Sequence, residues 1–71
     1  MITDFIDWCN KHGYPYEKGR NWCDCVDYSV FINFWIKGKV HTFYALDNGA
    51  YKVDNIVVNS VKEIEEALSH E

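Results

Sequence analysis

The alternation of apolar residues between Tyr28 and Ile36 constrains the fold more than any other feature of this sequence. Every second position of this stretch is apolar, and the set consists of Tyr28, Val30, Ile32, Phe34 and Ile36. Because successive side chains of a β-strand point to opposite faces, this spacing places all of them on one face of a strand. Their β-branched and aromatic side chains suit a half-buried sheet surface. The stretch therefore predicts a long central strand.

Two turn sequences after this strand predict an antiparallel meander. Lys37-Gly38-Lys39 interrupts the apolar run with a glycine that tolerates positive φ, which predicts a two-residue hairpin loop. Asp47-Asn48-Gly49 fits a three-residue hairpin loop with glycine in the left-handed position. These loop lengths add to the apolar face His41, Phe43, Ala45, Tyr51 and Val53. The second face is mixed and carries Phe31, Asn33, Trp35, Thr42, Tyr44, Leu46, Lys52 and Asp54.

The N-terminal residues predict a helix that packs on the apolar face. Apolar residues recur at the spacing of one helix face, at Ile2, Phe5, Ile6 and Cys9. Thr3 is the predicted N-cap, because its hydroxyl can accept a hydrogen bond from an amide of the first turn. Gly13 is the predicted end of this helix.

A second helix is predicted at the C-terminal end. Ser60 and Glu63 have the spacing of a capping box, so this helix should begin at Val61. Its apolar stripe comprises Val61, Ile64, Ala67 and Leu68. Before it, Ile56–Val58 is predicted to be a short buried extended segment. In the weakly periodic stretch that precedes the central strand, we expect a short irregular strand around Trp22 to Val26.

Residues 1–71 are therefore predicted to form one α+β domain. The predicted order is a helix, an antiparallel meander of three or four strands and a helix, with both helices on one face of the sheet. At 71 residues, of which 17% are aromatic, the chain should fill a small interior with large rings. The chain has no apolar run of membrane-spanning length, no secretion signal and an odd number of cysteines. Together these features predict a cytoplasmic protein with reduced thiols.

Aromatic side chains on the second sheet face point to a binding function. Phe31, Trp35 and Tyr44 would form a patch on the side away from the helices, and exposed patches of this kind usually mark interfaces. Trp and Tyr are frequent anchors of binding energy. We therefore expect a module that binds another protein, or a second copy of itself, through the sheet. The alternative is that residues 14–25 fold across this face and bury the rings.

Acidic residues form a second candidate contact surface. The net charge is −4, and Asp4, Asp7, Glu63, Glu65 and Glu66 concentrate the acidity on the two helices. Outward carboxylates can simply keep a small protein soluble. They could also match the basic groove of a nucleic-acid-handling enzyme or imitate a duplex. In size and charge the chain resembles small acidic inhibitors from phages and mobile elements, such as anti-CRISPR and antirestriction proteins, without a shared motif.

The spacing of cysteine and histidine leaves a zinc-stabilised module as the main alternative. Cys9 and His12 lie three residues apart on the first helix, and Cys23 and Cys25 follow in the loop. Zinc takes four tetrahedral ligands, which two such pairs could supply, although a C-x-C sequence in an extended strand points its thiols apart. The simpler interpretation makes Cys9 a small apolar core residue in a protein without a cofactor.

Two other functions receive less support from the sequence. The chain has no glycine-rich phosphate loop, nucleophile elbow or paired-carboxylate motif, so we expect no enzyme activity. The rings of the second face could stack on the bases of single-stranded nucleic acid. Such binding requires a basic groove, and Lys37, Lys39 and Lys52 are too few to form one.

Overall fold

The computed structural model describes residues 1–21 and 28–69, which form two helices and a five-stranded antiparallel sheet. The elements follow in the order α1 (Ile2–His12), β1 (Tyr16–Arg20), β2 (Tyr28–Ile36), β3 (Lys39–Leu46), β4 (Tyr51–Val53), β5 (Ile56–Val58) and α2 (Val61–Ser69). The strands lie side by side in chain order. The predicted α+β class and the order of helix, antiparallel strands and helix are confirmed, and the described sheet is wider than the predicted three or four strands.

The two predicted hairpin loops have the predicted lengths. Lys37 and Gly38 have φ angles of 52° and 82° and form the loop between β2 and β3. Positive φ at both central positions is the turn geometry that matches the twist of the flanking strands. In the loop between β3 and β4, the Gly49 N–H donates to the Leu46 carbonyl at 3.1 Å. The Leu46 N–H donates to the Ala50 carbonyl at 2.8 Å, which closes a three-residue loop.

These loop lengths determine which side chains face the helices. Ile32 pairs with Phe43, and Phe34 pairs with His41, and all four side chains are buried. We call this side of the sheet the inner face and the opposite side the outer face. Both helices pack on the inner face, where their apolar residues join those of the strands in one hydrophobic core. The predicted placement of both helices on one face is thus confirmed.

Tyr28 lies on the outer face, so its predicted place on the inner face is wrong. The β2–β3 register shifts between Tyr28 and Val30, which is the signature of a bulge. An extra residue in one strand reverses the faces of all residues beyond it. The Tyr28 ring consequently lies 4.6 Å from the ring of Tyr44 and 6.2 Å from that of Phe31, as measured between centroids.

The two outermost strands of the described sheet differ from the sequence prediction. β1 was not predicted, and the irregular strand expected around Trp22 to Val26 lies outside the described residues. The extended segment Ile56–Val58 is confirmed as β5, but only Val58 is buried. Ile56 and Val57 are 42% and 60% exposed, because β5 lies at the edge of the sheet.

Helix α1 ends as predicted but begins earlier than predicted. Gly13 follows the last turn with φ 72° and ψ 24°, the left-handed conformation that glycine adopts at helix ends. The next N–H, that of Tyr14, donates to the Cys9 carbonyl at 2.9 Å. The N-cap is Met1 and no side chain caps the helix, so Thr3 lies inside the first turn and its predicted capping role is wrong.

Helix α2 begins at the predicted capping box. The Glu63 N–H donates to the Ser60 hydroxyl at 3.3 Å, and the Glu63 carboxylate accepts from the Asn59 N–H at 2.6 Å. The carboxylate thus bonds to Asn59, the residue before the N-cap Ser60. Ile64 and Ala67 are buried on the apolar side of this helix.

Candidate functional site: the outer face of the sheet

Three predicted binding residues lie together on the outer face. Phe31 pairs with Tyr44 across β2 and β3, and Trp35 pairs with Val40 near the hairpin loop of the same two strands. Phe31, Trp35 and Tyr44 are each half-buried, whereas Val40 is 53% exposed. The structure therefore brings the predicted aromatic residues to one surface, and the bulge in β2 adds Tyr28 as a fourth ring that alternation alone does not reveal.

Phe31 packs on the backbone of β1 through Gly19. These two residues pair across β1 and β2, and a Cβ atom built on Gly19 would lie 2.5 Å from the Cζ atom of Phe31. Only glycine leaves room for a ring in this position. The contact holds Phe31 in place and explains why a glycine lies within an edge strand, where it otherwise weakens pairing.

Tyr44 occupies the centre of the aromatic cluster. Its ring contacts the Tyr28 ring at a tilt of 58°, and the Lys52 ammonium lies 4.8 Å from its centroid on the other side. A cation over a tyrosine ring is attracted by the negative face of the ring. Lys52 pairs with Val57, which extends the outer face across β5. A ring, a cation and an exposed valine thus follow one another across β3, β4 and β5.

Polar side chains of the outer face lie one row away from this cluster. Asn33 and Thr42 pair across β2 and β3, and the Thr42 hydroxyl donates to the Asn33 side-chain oxygen at 2.9 Å. Glu17 pairs with Asn33 from β1. The outer face of the described sheet therefore carries one acidic residue, Glu17, and one basic residue, Lys52. Among the described residues these two charges balance, whereas the helices carry Asp4, Asp7, Glu63, Glu65 and Glu66.

The predicted acidic residues are distributed over both helices, and some of them serve the fold. Glu63 caps α2, as described above. Glu65 accepts a hydrogen bond from the Trp8 indole N–H at 2.8 Å and lies 4.0 Å from the His12 imidazole, which ties α2 to α1. Four of the five predicted carboxylates are exposed: Asp4, Asp7, Glu65 and Glu66.

The four residues of the zinc alternative fall in different environments. Cys9 is fully buried in the core, as the simpler interpretation predicts. His12 is exposed, and its ring stacks on that of Tyr14 at 5.2 Å. Cys23 and Cys25 lie outside the described residues. Burial raises the pKa of the Cys9 thiol from 9.0 to about 11, which opposes the thiolate form that binds zinc.

The raised pKa of Cys9 predicts a loss of stability in alkaline solution. The folded chain holds the thiol proton more tightly than the unfolded chain, so stability should fall as pH rises from 9 towards the folded value of about 11. Urea unfolding at several pH values measures this loss. A Cys9→Ala variant should have a flatter profile than the original chain over this interval, and parallel profiles would contradict the assignment.

A second polar arrangement lies on the inner face, and sequence patterns predict only that its histidine has apolar neighbours. His41 is 6% exposed, and its Nδ1 lies 3.0 Å from a carboxylate oxygen of Asp54. The other carboxylate oxygen accepts from the Thr42 N–H at 3.1 Å. The residues of this pair are 13 positions apart in sequence, so no local motif could have revealed it.

No protein-family model, curated protein or solved structure matches this chain. The fold and the site therefore define the class: an α+β protein whose antiparallel sheet carries two helices on one face and an aromatic cluster on the other. In residues 1–21 and 28–69, no helix has the length and apolar character that crossing a membrane requires.

Proposed function

We propose that this chain is a protein-binding module and that the outer face of the sheet is its contact surface. The observation that carries this proposal is the aromatic cluster of Tyr28, Phe31 and Tyr44 on the face opposite both helices, with Trp35 on the same face beyond the Asn33–Thr42 row. Such rings supply large contact areas at low conformational cost, and they are the residue types that most often anchor interfaces.

The surroundings of the cluster favour a protein partner over a nucleic acid. Val40 and Val57 are 53% and 60% exposed and lie on the same face, where they pair with Trp35 and Lys52. An apolar surface of this kind gains free energy when a partner removes it from water. Single-stranded nucleic acid would need several cations along the face, whereas Glu17 and Lys52 leave it electrically balanced.

A basic partner would bind to the acidic helices instead of the outer face of the sheet. An inhibitor of a nucleic-acid-handling enzyme could present Asp4, Asp7 and Glu66, which lie on α1 and α2 and are exposed. Binding through these carboxylates would weaken steeply with salt, because exposed charges are screened. Binding through the rings would persist at high salt. Salt dependence therefore distinguishes the two contact surfaces.

A charge placed on the outer face should weaken capture of the partner. Val40→Lys puts an ammonium beside Trp35, and we expect about tenfold weaker capture or more, the equivalent of about 1.4 kcal/mol. The immobilised chain is exposed to cell lysate at low and high salt, and retained proteins are quantified by mass spectrometry. Sedimentation of the purified chain over a concentration series measures self-association in the same variants.

Two variants on the helices serve as controls for this experiment. Thr3→Lys adds the same charge to an exposed position of α1, and Glu66→Lys reverses a charge on α2. Capture and self-association should be retained in both if the outer face is the contact surface. Retention in Val40→Lys together with loss in Glu66→Lys would assign binding to the acidic helices. The absence of any partner at either salt concentration, with a monomer in sedimentation, would contradict the proposed function.

A further inference from the structure

Basic side chains converge at the end of the β2–β3 hairpin, away from the outer-face cluster. A cavity of about 360 Å³ is lined there by Ile36, Lys37, Lys39, His41 and Leu68. Three of these five residues are basic, although the chain as a whole has a net charge of −4. We call this cavity and its lining the basic corner.

His41 is fixed within the basic corner by its carboxylate partner. Its ring is buried and lies 5.5 Å from the Phe34 ring, as measured between centroids. The imidazole Nδ1 lies 3.0 Å from a carboxylate oxygen of Asp54. Asp54 is itself held by the Thr42 N–H at 3.1 Å. Such second-layer contacts orient a histidine for contact with a ligand.

Two residues with left-handed backbone, both in hairpin loops, contribute to the basic corner. Lys37 and Asp54 are the two non-glycine residues of residues 1–21 and 28–69 that have positive φ, at 52° and 53°. One lines the cavity and the other holds the histidine that lines it. Lysine is a poor choice for a left-handed turn position, where asparagine or glycine is preferred.

We propose that the basic corner binds a phosphate group. Lys37 and Lys39 supply two ammonium groups, and the buried ring of His41 forms part of the cavity wall. Lysine binds phosphate as a mobile point charge with three donors, and a phosphate dianion offers enough oxygens for several donors at once. Ile36 and Leu68 give the cavity an apolar wall on which the organic part of a phosphate ester can rest.

The neighbouring cavity provides space for such an organic part. It measures about 380 Å³ and shares Ile36 and Leu68 with the basic corner. Its other walls include the rings of Trp8, His12 and Tyr14. The phosphate of an aromatic phosphomonoester would therefore contact the lysines of the basic corner, and its aromatic group would contact the rings of the neighbouring cavity. Free phosphate would use the basic corner alone.

Titration of the isotope-labelled chain tests this site, with the amide resonances followed by NMR. The probes are inorganic phosphate and phenyl phosphate, each against sodium chloride at the same pH and ionic strength. We expect saturable shifts at Gly38, Lys39 and His41 with both phosphates and none with chloride. Tighter binding of phenyl phosphate supports an ester ligand, and equal binding supports the free ion. Shifts that fail to saturate, or that chloride reproduces, would overturn the proposal.

Lys37→Asn separates binding from folding. Asparagine tolerates the left-handed conformation better than lysine, so this variant should unfold at a higher temperature than the original chain. It should nevertheless bind phosphate about tenfold more weakly or worse, because a phosphate contact is lost. Lys39→Gln should weaken binding similarly.

Lys62→Gln is the matched control, since it removes the same charge from an exposed position of α2. Its phosphate affinity should equal that of the original chain. Unchanged phosphate binding in both Lys37→Asn and Lys39→Gln would overturn the assignment of the site. Equally weakened phosphate binding in Lys62→Gln would also overturn the assignment. That result would show that phosphate responds to the total charge of the chain rather than to this site.

Discussion

Replacing Phe5 with alanine is expected to remove a large part of the stability of the fold. Phe5 is fully buried between α1 and the sheet, and its ring lies 4.3 Å from that of Phe43, 5.0 Å from that of Phe34 and 5.8 Å from that of Trp8, as measured between centroids. Loss of a buried phenyl ring costs about 3–5 kcal/mol. Domains have a free energy of unfolding of roughly 0.05–0.15 kcal/mol per residue, so the total for a chain of this size is small. Urea unfolding followed by circular dichroism measures the loss.

The control for this prediction is an equally simple truncation on the outer face. Val40→Ala removes apolar atoms from a side chain that is 53% exposed and should change stability by no more than about 0.5 kcal/mol. The packing described for the inner face would be contradicted if Phe5→Ala and Val40→Ala unfolded at the same urea concentration.

Replacing Gly19 with valine is expected to damage stability and binding together. A Cβ atom at this position would lie 2.5 Å from one Phe31 ring atom and 2.9 Å from another, so either the ring moves or β1 separates from β2. Overpacking of this kind costs about 1–3 kcal/mol. Because Phe31 belongs to the proposed contact surface, capture of the partner should fall as well. Urea unfolding and the capture assay measure the two effects.

Glu17→Val is the matched control, because it places the same side chain on the same strand and on the same face. Glu17 pairs with Asn33 rather than with a ring, and a β-branched residue favours the strand conformation. This variant should be at least as stable as the original chain. Equal stability of Gly19→Val and Glu17→Val would contradict the close contact between Phe31 and the backbone of β1.

The part of the fold that could be predicted from sequence rests on local rules. The glycine and asparagine of the loops determine hairpin lengths, and hairpin lengths determine the faces, so His41 and Phe43 could be assigned to the interior. The capping box at Ser60 marked the start of α2 because both of its bonds form within a few residues. The prediction that Phe31, Trp35 and Tyr44 share the outer face has the same origin.

The features that sequence patterns do not predict depend on contacts between segments that are distant in the sequence. The alternation of apolar residues does not record such contacts. β1 has mostly exposed side chains, and its sequence Tyr-Glu-Lys-Gly-Arg shows no apolar period. The bulge before Val30 inserts one residue into β2, and a pattern of period two does not reveal such an insertion. The alternation therefore assigns Tyr28 to the wrong face of the sheet. The hydrogen bond from Trp8 to Glu65 spans 57 positions and forms only when the helices meet. Sequence patterns record local geometry, whereas these features depend on the assembled fold.

Radical footprinting of side chains, in the free chain and after capture of the partner, tests the proposed contact surface most directly. The half-buried rings of Trp35 and Tyr44 should be oxidised in the free chain, whereas the fully buried rings of Phe5 and Phe43 should not. On capture, Trp35 and Tyr44 should become protected. Labelling of Trp35 and Tyr44 that is as low as that of Phe5, or protection confined to the helices, would contradict the proposal that the outer face binds the partner.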